Sequence, residues 1–327
     1  MPKATNKPRQ DDIDDRSSAR RLRLRASWMY YVEEMTQQEI AQRLGVGRVT
    51  VVRLLAAARE RNEVRIVIQD RLAECIDLER RLEERFGLTE ALVAPLSSPD
   101  ADATGPVSAA AGAYLSDIVR SDMRIGVGWG RTLVNALAYM SEKPVENVSV
   151  VSMLGGIMKA RAFNPAEFAW RFATLYQADC HLMTAPIVVD SPETRATLIE
   201  RCGLRDVFDM ARTLDAVVLG AAGMGKDATA YRSQFISDSD RESLIAAGAV
   251  GDLLFNFLDA EGHIVEHPIN GRVMSVPLSI VKEVPQRIIA AGGMTKVRAL
   301  RASIKLLAPT TLITDQYAAA ELLRSND

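Results

Sequence analysis

Thr36-Gln-Gln-Glu-Ile-Ala-Gln-Arg-Leu-Gly-Val-Gly-Arg-Val-Thr-Val-Val-Arg-Leu-Leu55 is the stretch from which the rest of the chain can be read. Thr36 to Glu39 has the pattern of a capping box. The threonine hydroxyl accepts from a first-turn amide, and the glutamate three residues on reaches back to the amide of the cap. A helix is therefore expected from Gln37 to about Leu44. Gly45-Val46-Gly47 then supplies a three-residue turn with glycine where φ is positive, and a second helix opens at Arg48. Ile40, Ala41, Leu44, Val46, Val51, Leu54 and Leu55 fall where two short crossed helices touch, and Ala41 is small where they approach. This is the length of a helix-turn-helix corner; the plain alternative is a helical hairpin whose arginines are only solvated. Gln37, Gln38, Arg48, Val49, Thr50 and Arg53 are the candidate DNA contacts, suited to phosphate oxygens and base edges in a major groove.

Outward from this core, Leu22 to Glu34 reads as a supporting helix with Trp28, Met29, Tyr30 and Tyr31 in its packed face. Val64 to Gln69 alternates as a short strand or wing, and Arg71 to Arg85 reads as a charged helix joining two domains, where a dimer contact could form. Residues 16 to 65 hold eleven Lys/Arg and five Asp/Glu, a net +6 in a chain of net charge −2, so the remainder carries −8. A basic head on an acidic body is the distribution expected when one module meets a phosphate backbone. The alternative is that Arg20, Arg21, Arg23 and Arg25 form a solvated face. The division expected is a mobile tail over 1–19, a winged helix-turn-helix over 20–70, a linker helix over 71–87 and a larger domain over 88–327.

Two domains also follow from length, because 327 residues exceed what one core usually organises. The 48% hydrophobic and 25% charged content is that of a globular protein. No stretch approaches eighteen uncharged apolar residues and the first twenty residues are polar, so no membrane span or secretory signal is expected and the location expected is cytoplasmic. Cys75, Cys180 and Cys202 are far apart without C-x-x-C pairing, and His181, His263 and His267 form no ligand pattern with them. No disulfide, metal or cofactor is expected.

From residue 88 short branched-apolar runs alternate with helical patterns. The runs are Ala91–Ala94, Arg124–Val127, Val148–Met153, Ala216–Leu219, Asp252–Phe257, Arg287–Ala291 and Thr311–Thr314, with helices such as Pro165–Ala178 and Lys296–Leu307 between them. Such alternation predicts an α/β fold, a Rossmann-like doubly wound sheet, mainly parallel and covered on both faces, with Pro95–Pro106 as a loop. Ligands in such folds collect beyond the carboxyl ends of the strands. Glycine turns follow four of these strands: Gly126-Val-Gly-Trp-Gly-Arg-Thr132, Gly155-Gly156, Gly220 to Gly225, and Gly292-Gly293-Met-Thr-Lys296. Each alone is equally an ordinary tight turn. Together they predict one pocket for a phosphate or polyhydroxyl ligand, with Thr132 and Lys296 as side-chain donors. Gly220-Ala-Ala-Gly-Met-Gly-Lys226 fits G-x-x-x-x-G-K, but Asp227 stands where a nucleotide loop needs Ser or Thr. It is expected to line the pocket instead.

Trp28-Met-Tyr-Tyr31, Met35-Thr-Gln-Gln-Glu-Ile-Ala41, Arg48-Val-Thr-Val-Val-Arg-Leu-Leu55, Gly128-Trp-Gly-Arg-Thr132, Gly248-Ala-Val-Gly-Asp252, Ala291-Gly-Gly-Met-Thr-Lys296 and Leu312-Ile-Thr-Asp315 occur in this order. In these segments the chain resembles the SorC family of sugar-responsive transcriptional regulators over essentially its whole length after residue 20. The resemblance implies a winged helix-turn-helix followed by an effector domain similar to sugar-phosphate isomerases and deaminases, without retained catalysis. It implies double-stranded operator DNA and a sugar, polyol or sugar phosphate as partners, a homo-tetramer or dimer, and a repressor of a carbohydrate or polyol catabolic operon. The effector residues it implies are Gly128, Trp129, Gly130, Arg131, Thr132, Gly155, Gly156, Asp252, Lys296 and Asp315, to which the glycine turns add Gly223, Gly225, Gly292 and Gly293; the Gly220–Lys226 segment departs from the family's plainer turn. The rival is an active sugar-phosphate isomerase or deaminase with an appended DNA-binding head. Those reactions need a poised general base, and no carboxylate or histidine here stands in a recognisable catalytic motif, so no enzyme is expected.

Overall fold

The computed structural model describes residues 10–61, 63–64, 73–157, 164–226, 228–232 and 236–324. The chain divides into two units between residues 68 and 69.

The first unit holds α1 (Gln10–Tyr31), α2 (Gln37–Leu44) and α3 (Arg48–Glu60). The capping box forms as read: Thr36 Oγ1 accepts from the Glu39 amide at 3.3 Å, and the Thr36 amide donates to Glu39 Oε2 at 2.7 Å. Gly45 closes α2 in the left-handed region with φ 66°. Ile40, Ala41, Val51 and Leu55 bury against Ala26 and Met29 of α1, with Leu44, Val46 and Leu54 partly covered beside them. Three expectations need correction. The helix begins at Gln10, so residues 10–19 are helix and not tail. Trp28 is 59% exposed and Tyr30 37%, leaving Met29 as the buried member of that quartet. The inner face of α1 is built instead from Arg23, Ala26, Ser27 and Met29, where small residues let the neighbouring helices approach. Arg23, read as part of a basic surface, is buried: its Nε and Nη2 donate to the two Glu63 carboxylate oxygens at 2.9 and 2.8 Å. The expected wing over Val64–Gln69 lies, beyond Val64, outside the described residues, as do the first residues of the expected linker helix.

The second unit runs α4 (Ala73–Phe86), β1 (Glu90–Ala94), α5 (Thr104–Ile118), β2 (Arg124–Val127), α6 (Arg131–Ala136), β3 (Ser149–Ser152), α7 (Pro165–Tyr176) and β4 (Asp179–His181). It continues through α8 (Pro192–Arg201), α9 (Arg205–Ala211), β5 (Ala216–Leu219), β6 (Ala221–Gly223), α10 (Thr229–Arg232), α11 (Asp238–Ala246), β7 (Gly251–Leu253) and β8 (Asn256–Leu258). It ends with α12 (Leu278–Lys282), β9 (Gln286–Ala290), α13 (Val297–Leu307), β10 (Thr311–Asp315) and α14 (Gln316–Arg324). Helix α4 is no free connector. Glu79 and Glu83 accept from the Val93 and Ala91 amides of β1 at 2.8 and 2.9 Å, and Arg85 donates to the Leu323 carbonyl.

Seven strands form one sheet in the order β1-β10-β9-β5-β2-β3-β4, every pair parallel. Side chains alternate between two cores, one per face. Ile125, Val127, Ala216, Val218, Ile288 and Ile313 bury on one face, and Val151, Val217, Leu219, Ile289 and Leu312 on the other. Two buried faces explain why these strands read as unbroken apolar runs. From β2 the chain moves to β3 and β4, whereas from β5 it moves the other way to β9 and β10. Since β2 and β5 are neighbours, paired at Val127 and Val218, the loops leaving them diverge and open a crevice.

The run Asp252–Phe257 is not a strand of this sheet. It is the hairpin β7–β8, which joins β6 in a separate three-stranded sheet. Its turn residues Leu254 and Phe255 have φ 49° and 61°, the positions usually given to Asn-Gly. Side chains do the work of glycine here: Asp252 Oδ2 accepts from the Phe255 amide at 3.1 Å, and Asn256 Nδ2 donates to the Leu254 carbonyl at 2.9 Å. An apolar run with such a turn gives no break in hydropathy. The Gly220–Lys226 segment likewise begins as strand β6.

Candidate functional site

At the crevice between β2 and β5 lies a cavity of about 50 Å³. Trp129, Arg131, Thr132, Asp252, Thr295 and Lys296 supply its side chains, and Gly130, Gly220, Gly223 and Gly225 are among the glycines that line it. A second cavity of about 260 Å³ opens between the Asp100–Thr104 segment and the Gly292–Lys296 turn. The two share Arg131, Thr295 and Lys296.

Each wall has a local cause. The Gly128 amide donates to the Val218 carbonyl at 2.8 Å, and a Cβ at Gly128 would lie 3.0 Å from Leu219 Cδ2, so glycine holds the loop after β2 against β5. That delivers Trp129, whose ring lies 6.1 Å from the Phe255 ring of the hairpin turn. The hairpin in turn brings in Asp252, 5% exposed. Burial pushes its carboxyl up to about 7, opposed by the Phe255 amide. Near neutral pH it can therefore donate a hydrogen bond to a ligand hydroxyl as well as accept one. At the wide end, the carboxyl of Asp102 is held below its ordinary range first by its bond with Thr104 and further by the Arg131 and Lys296 charges. One end of the paired cavity thus carries a protonatable carboxyl, and the junction carries two cations.

The structure sorts the predicted effector residues. Trp129, Gly130, Arg131, Thr132, Gly223, Gly225, Asp252, Gly292, Gly293 and Lys296 line one cavity or the other. Gly128 packs behind them. Gly155 and Gly156 donate to the Met274 and Ala185 carbonyls at 2.7 and 2.8 Å, and a Cβ at Gly155 would meet Ala185 O at 2.6 Å. Both lie outside the lining, and of the two only Gly155 is held to glycine by close packing. Asp315 is also outside it: fully buried, it accepts from the Tyr317, Ala318 and Gly293 amides. Lys226 is exposed and lines neither cavity. Asp100, Asp102 and Thr295 went unnoticed in the sequence. Asp102, two residues before the Thr104 amide that it accepts from at 2.9 Å, was the available signal, hidden by reading Pro95–Pro106 as a plain loop.

In the first unit α3 turns Val51, Leu55 and Ala58 inward. Arg48, Val49, Thr50, Val52 and Arg53 face outward and are exposed. Gln38 is exposed and Gln37 half-buried. Arg48 Nε donates to Gln37 Oε1 at 3.5 Å, a long contact joining the starts of α2 and α3. All six predicted DNA contacts therefore lie on the surface of this unit, Gln37 half-buried, and Val52 is exposed beside them. Among the described residues no group of three His, Cys, Asp or Glu could hold a metal ion, and no helix is long and apolar enough to cross a membrane.

Comparison with known proteins agrees with this division. A sugar-binding domain family matches residues 70–324, and sigma-70 region 4, a DNA-binding helical module, matches residues 28–61. The chain is 33% identical to the erythritol catabolism regulatory protein EryD of Brucella abortus over 92% of its own length and 96% of that protein. It is 29% identical to the deoxyribonucleoside regulator of Bacillus subtilis, covering 92% and 97% of the two chains. Among solved structures, the full-length sorbitol operon regulator SorC of Klebsiella pneumoniae superposes with a TM-score of 0.70 at 23% identity, over 94% of this chain and all of that one. At that identity the likeness speaks for the fold.

Proposed function

This chain belongs to the SorC family of sugar-binding transcriptional regulators, and on that premise we propose that α3 reads operator DNA while the paired cavities bind a short phosphorylated sugar or polyol. A buried carboxyl at the narrow end and two cations at the junction carry the effector assignment, because they match a hydroxylated carbon chain with an anionic end. A water needs roughly 10–15 Å³ of such space. The narrow cavity of about 50 Å³ therefore suits a few carbons with their hydroxyls, with the phosphate beside Arg131 and Lys296. Relatives named for erythritol catabolism and for deoxyribonucleosides support that ligand class.

The protein acts in the cytoplasm as a homo-oligomer, a tetramer or dimer, repressing a catabolic operon. Two α3 helices engage half-sites about one helical turn apart. Effector binding shifts the oligomer between arrangements that differ in DNA affinity, a coupling of roughly 1–3 kcal/mol.

The test is a thermal-shift screen of polyols, sugars and their phosphates, followed by DNA binding with and without each ligand that raises the melting temperature. A phosphorylated ligand that stabilises the protein and changes DNA affinity supports the proposal; stabilisation only by unphosphorylated compounds removes the phosphate assignment. The raised Asp252 carboxyl favours one second reading, a retained isomerase or deaminase, which turnover of the stabilising ligand would establish.

A further inference from the structure

The outward face of α3 carries an apolar pair that the fold does not use. Val49 is 73% exposed and Val52 44%. At 100° per residue Val49 lies opposite the buried stripe of Val51, Leu55 and Ala58, with Arg53 one turn on and Val52 beside it. Neither valine packs into the core of Ala26, Met29, Ile40, Ala41, Val51 and Leu55. Nor does helix stability select them, since β-branched residues lose rotamer freedom in a helix and rank below alanine as helix formers. Held out between two arginines at the start of α3, these apolar side chains offer an external partner an apolar contact flanked by positive charge.

A second copy of the same face is a poor partner. A two-fold contact centred on Val49 and Val52 would bring the Arg48 and Arg53 guanidinium groups of one copy against those of the other. The DNA major groove offers both halves of the chemistry: phosphates and guanine acceptors for the arginines, and the C5-methyl group of thymine for an aliphatic side chain.

We infer that Val49 and Val52 read thymine methyl groups in each operator half-site; this rests on the DNA-binding function proposed above. Residues three apart on a helix are about 4.5 Å apart along its axis, against about 3.4 Å per base step along a strand. The two thymines therefore lie within two base steps of each other.

The experiment uses the full-length chain and duplexes selected by it from a randomised library of about 30 base pairs, wide enough for two half-sites. The best duplex is resynthesised with deoxyuridine for thymidine at one position at a time, which removes the methyl and keeps the pairing. Binding is read by fluorescence anisotropy. One or two positions per half-site should weaken binding about three- to fivefold, as expected for one lost methyl contact. Val49→Ala and Val52→Ala should weaken the thymine duplex and abolish the penalty of deoxyuridine at one position each. Both side chains are solvent-facing, so melting temperatures should match the parent. Tight, sequence-selective binding that is indifferent to deoxyuridine everywhere overturns the inference and leaves DNA recognition standing. Failure to enrich any sequence overturns both.

Discussion

Asp315 Oδ2 accepts a hydrogen bond from the Gly293 amide at 2.6 Å, while its Oδ1 takes the Tyr317 and Ala318 amides at 3.0 Å each. One buried carboxylate thus caps α14 and straps the glycine turn that carries Lys296. Glycine is required on the other side of the strap: a Cβ at Gly292 would lie 2.6 Å from that same Oδ2. Asp315→Ala leaves three amides without their acceptor. It should lower stability by about 2–4 kcal/mol and weaken effector binding at least tenfold, read by chemical denaturation and isothermal titration. Unchanged effector affinity in a folded Asp315→Ala protein would show that the strap does not position the turn.

Asp252 makes stability depend on pH in a definite direction. Its folded carboxyl titrates at about 7 against an ordinary 3.8, so between those values the folded state holds a proton that the unfolded chain has lost. That contribution is fully present below about 3.8 and disappears as pH rises through 7. At about 1.4 kcal/mol per pH unit the loss amounts to a few kcal/mol. Asp252→Asn cannot ionise. The parent melting temperature should fall between pH 5 and 8 by several degrees more than that of Asp252→Asn; parallel profiles would place the titration elsewhere.

Two glycines separate packing from pocket. A Cβ at Gly223 would meet the Thr295 carbonyl at 2.7 Å, and one at Gly155 the Ala185 carbonyl at 2.6 Å. Both alanine variants should lose about 1–3 kcal/mol through overpacking. Only Gly223→Ala, which displaces the Lys296 turn, should also weaken effector binding several-fold at a temperature where both variants are folded. Equal loss in the two would mean that the pocket responds to global strain.

Arg23 and Glu63 hold the first unit together. Two short bonds from the Arg23 guanidinium keep the Glu63 carboxyl below its ordinary 4.5, against the opposing effect of its burial. A depressed carboxylate stabilises the folded state above its unfolded value, and that stabilisation is lost as pH falls below 4.5 through the lowered value. Glu63→Gln should make the N-terminal unit more protease-sensitive at neutral pH and reduce its sensitivity to acid, with no change in effector affinity. Proteolysis at the parent rate at neutral pH would contradict a structural role for the pair.

The helix-turn-helix was legible almost to the residue. Its determinants are local: Thr36 bonds three residues along the chain to Glu39, and Gly45 takes φ 66° with nothing within 4 Å of where a Cβ would lie. Six of the seven strands of the parallel sheet were legible for a similar reason, since two buried faces make each an apolar run; β4 at the sheet edge is a short Asp-Cys-His run without that pattern and was not read. Trp28 and Tyr30 misled because aromatic character does not say which side of a helix faces inward; small Ala26 and Ser27 decide it.

The sequence by itself determined the helix-turn-helix, the apolar strands of the parallel sheet and which glycine turns follow them, because hydrogen bonds and hydropathy within a few residues specify them. Only the tertiary structure decided what those turns do. Gly155 packs, Gly223 lines, and Asp315 straps a turn 22 residues away. The strand break at Leu254–Phe255 is stabilised by Asp252 and Asn256 side chains without any glycine. Asp252, Arg131 and Lys296 converge because β2 and β5 are neighbours whose connections run in opposite directions, and strand order is a property of the assembled sheet that no local stretch encodes.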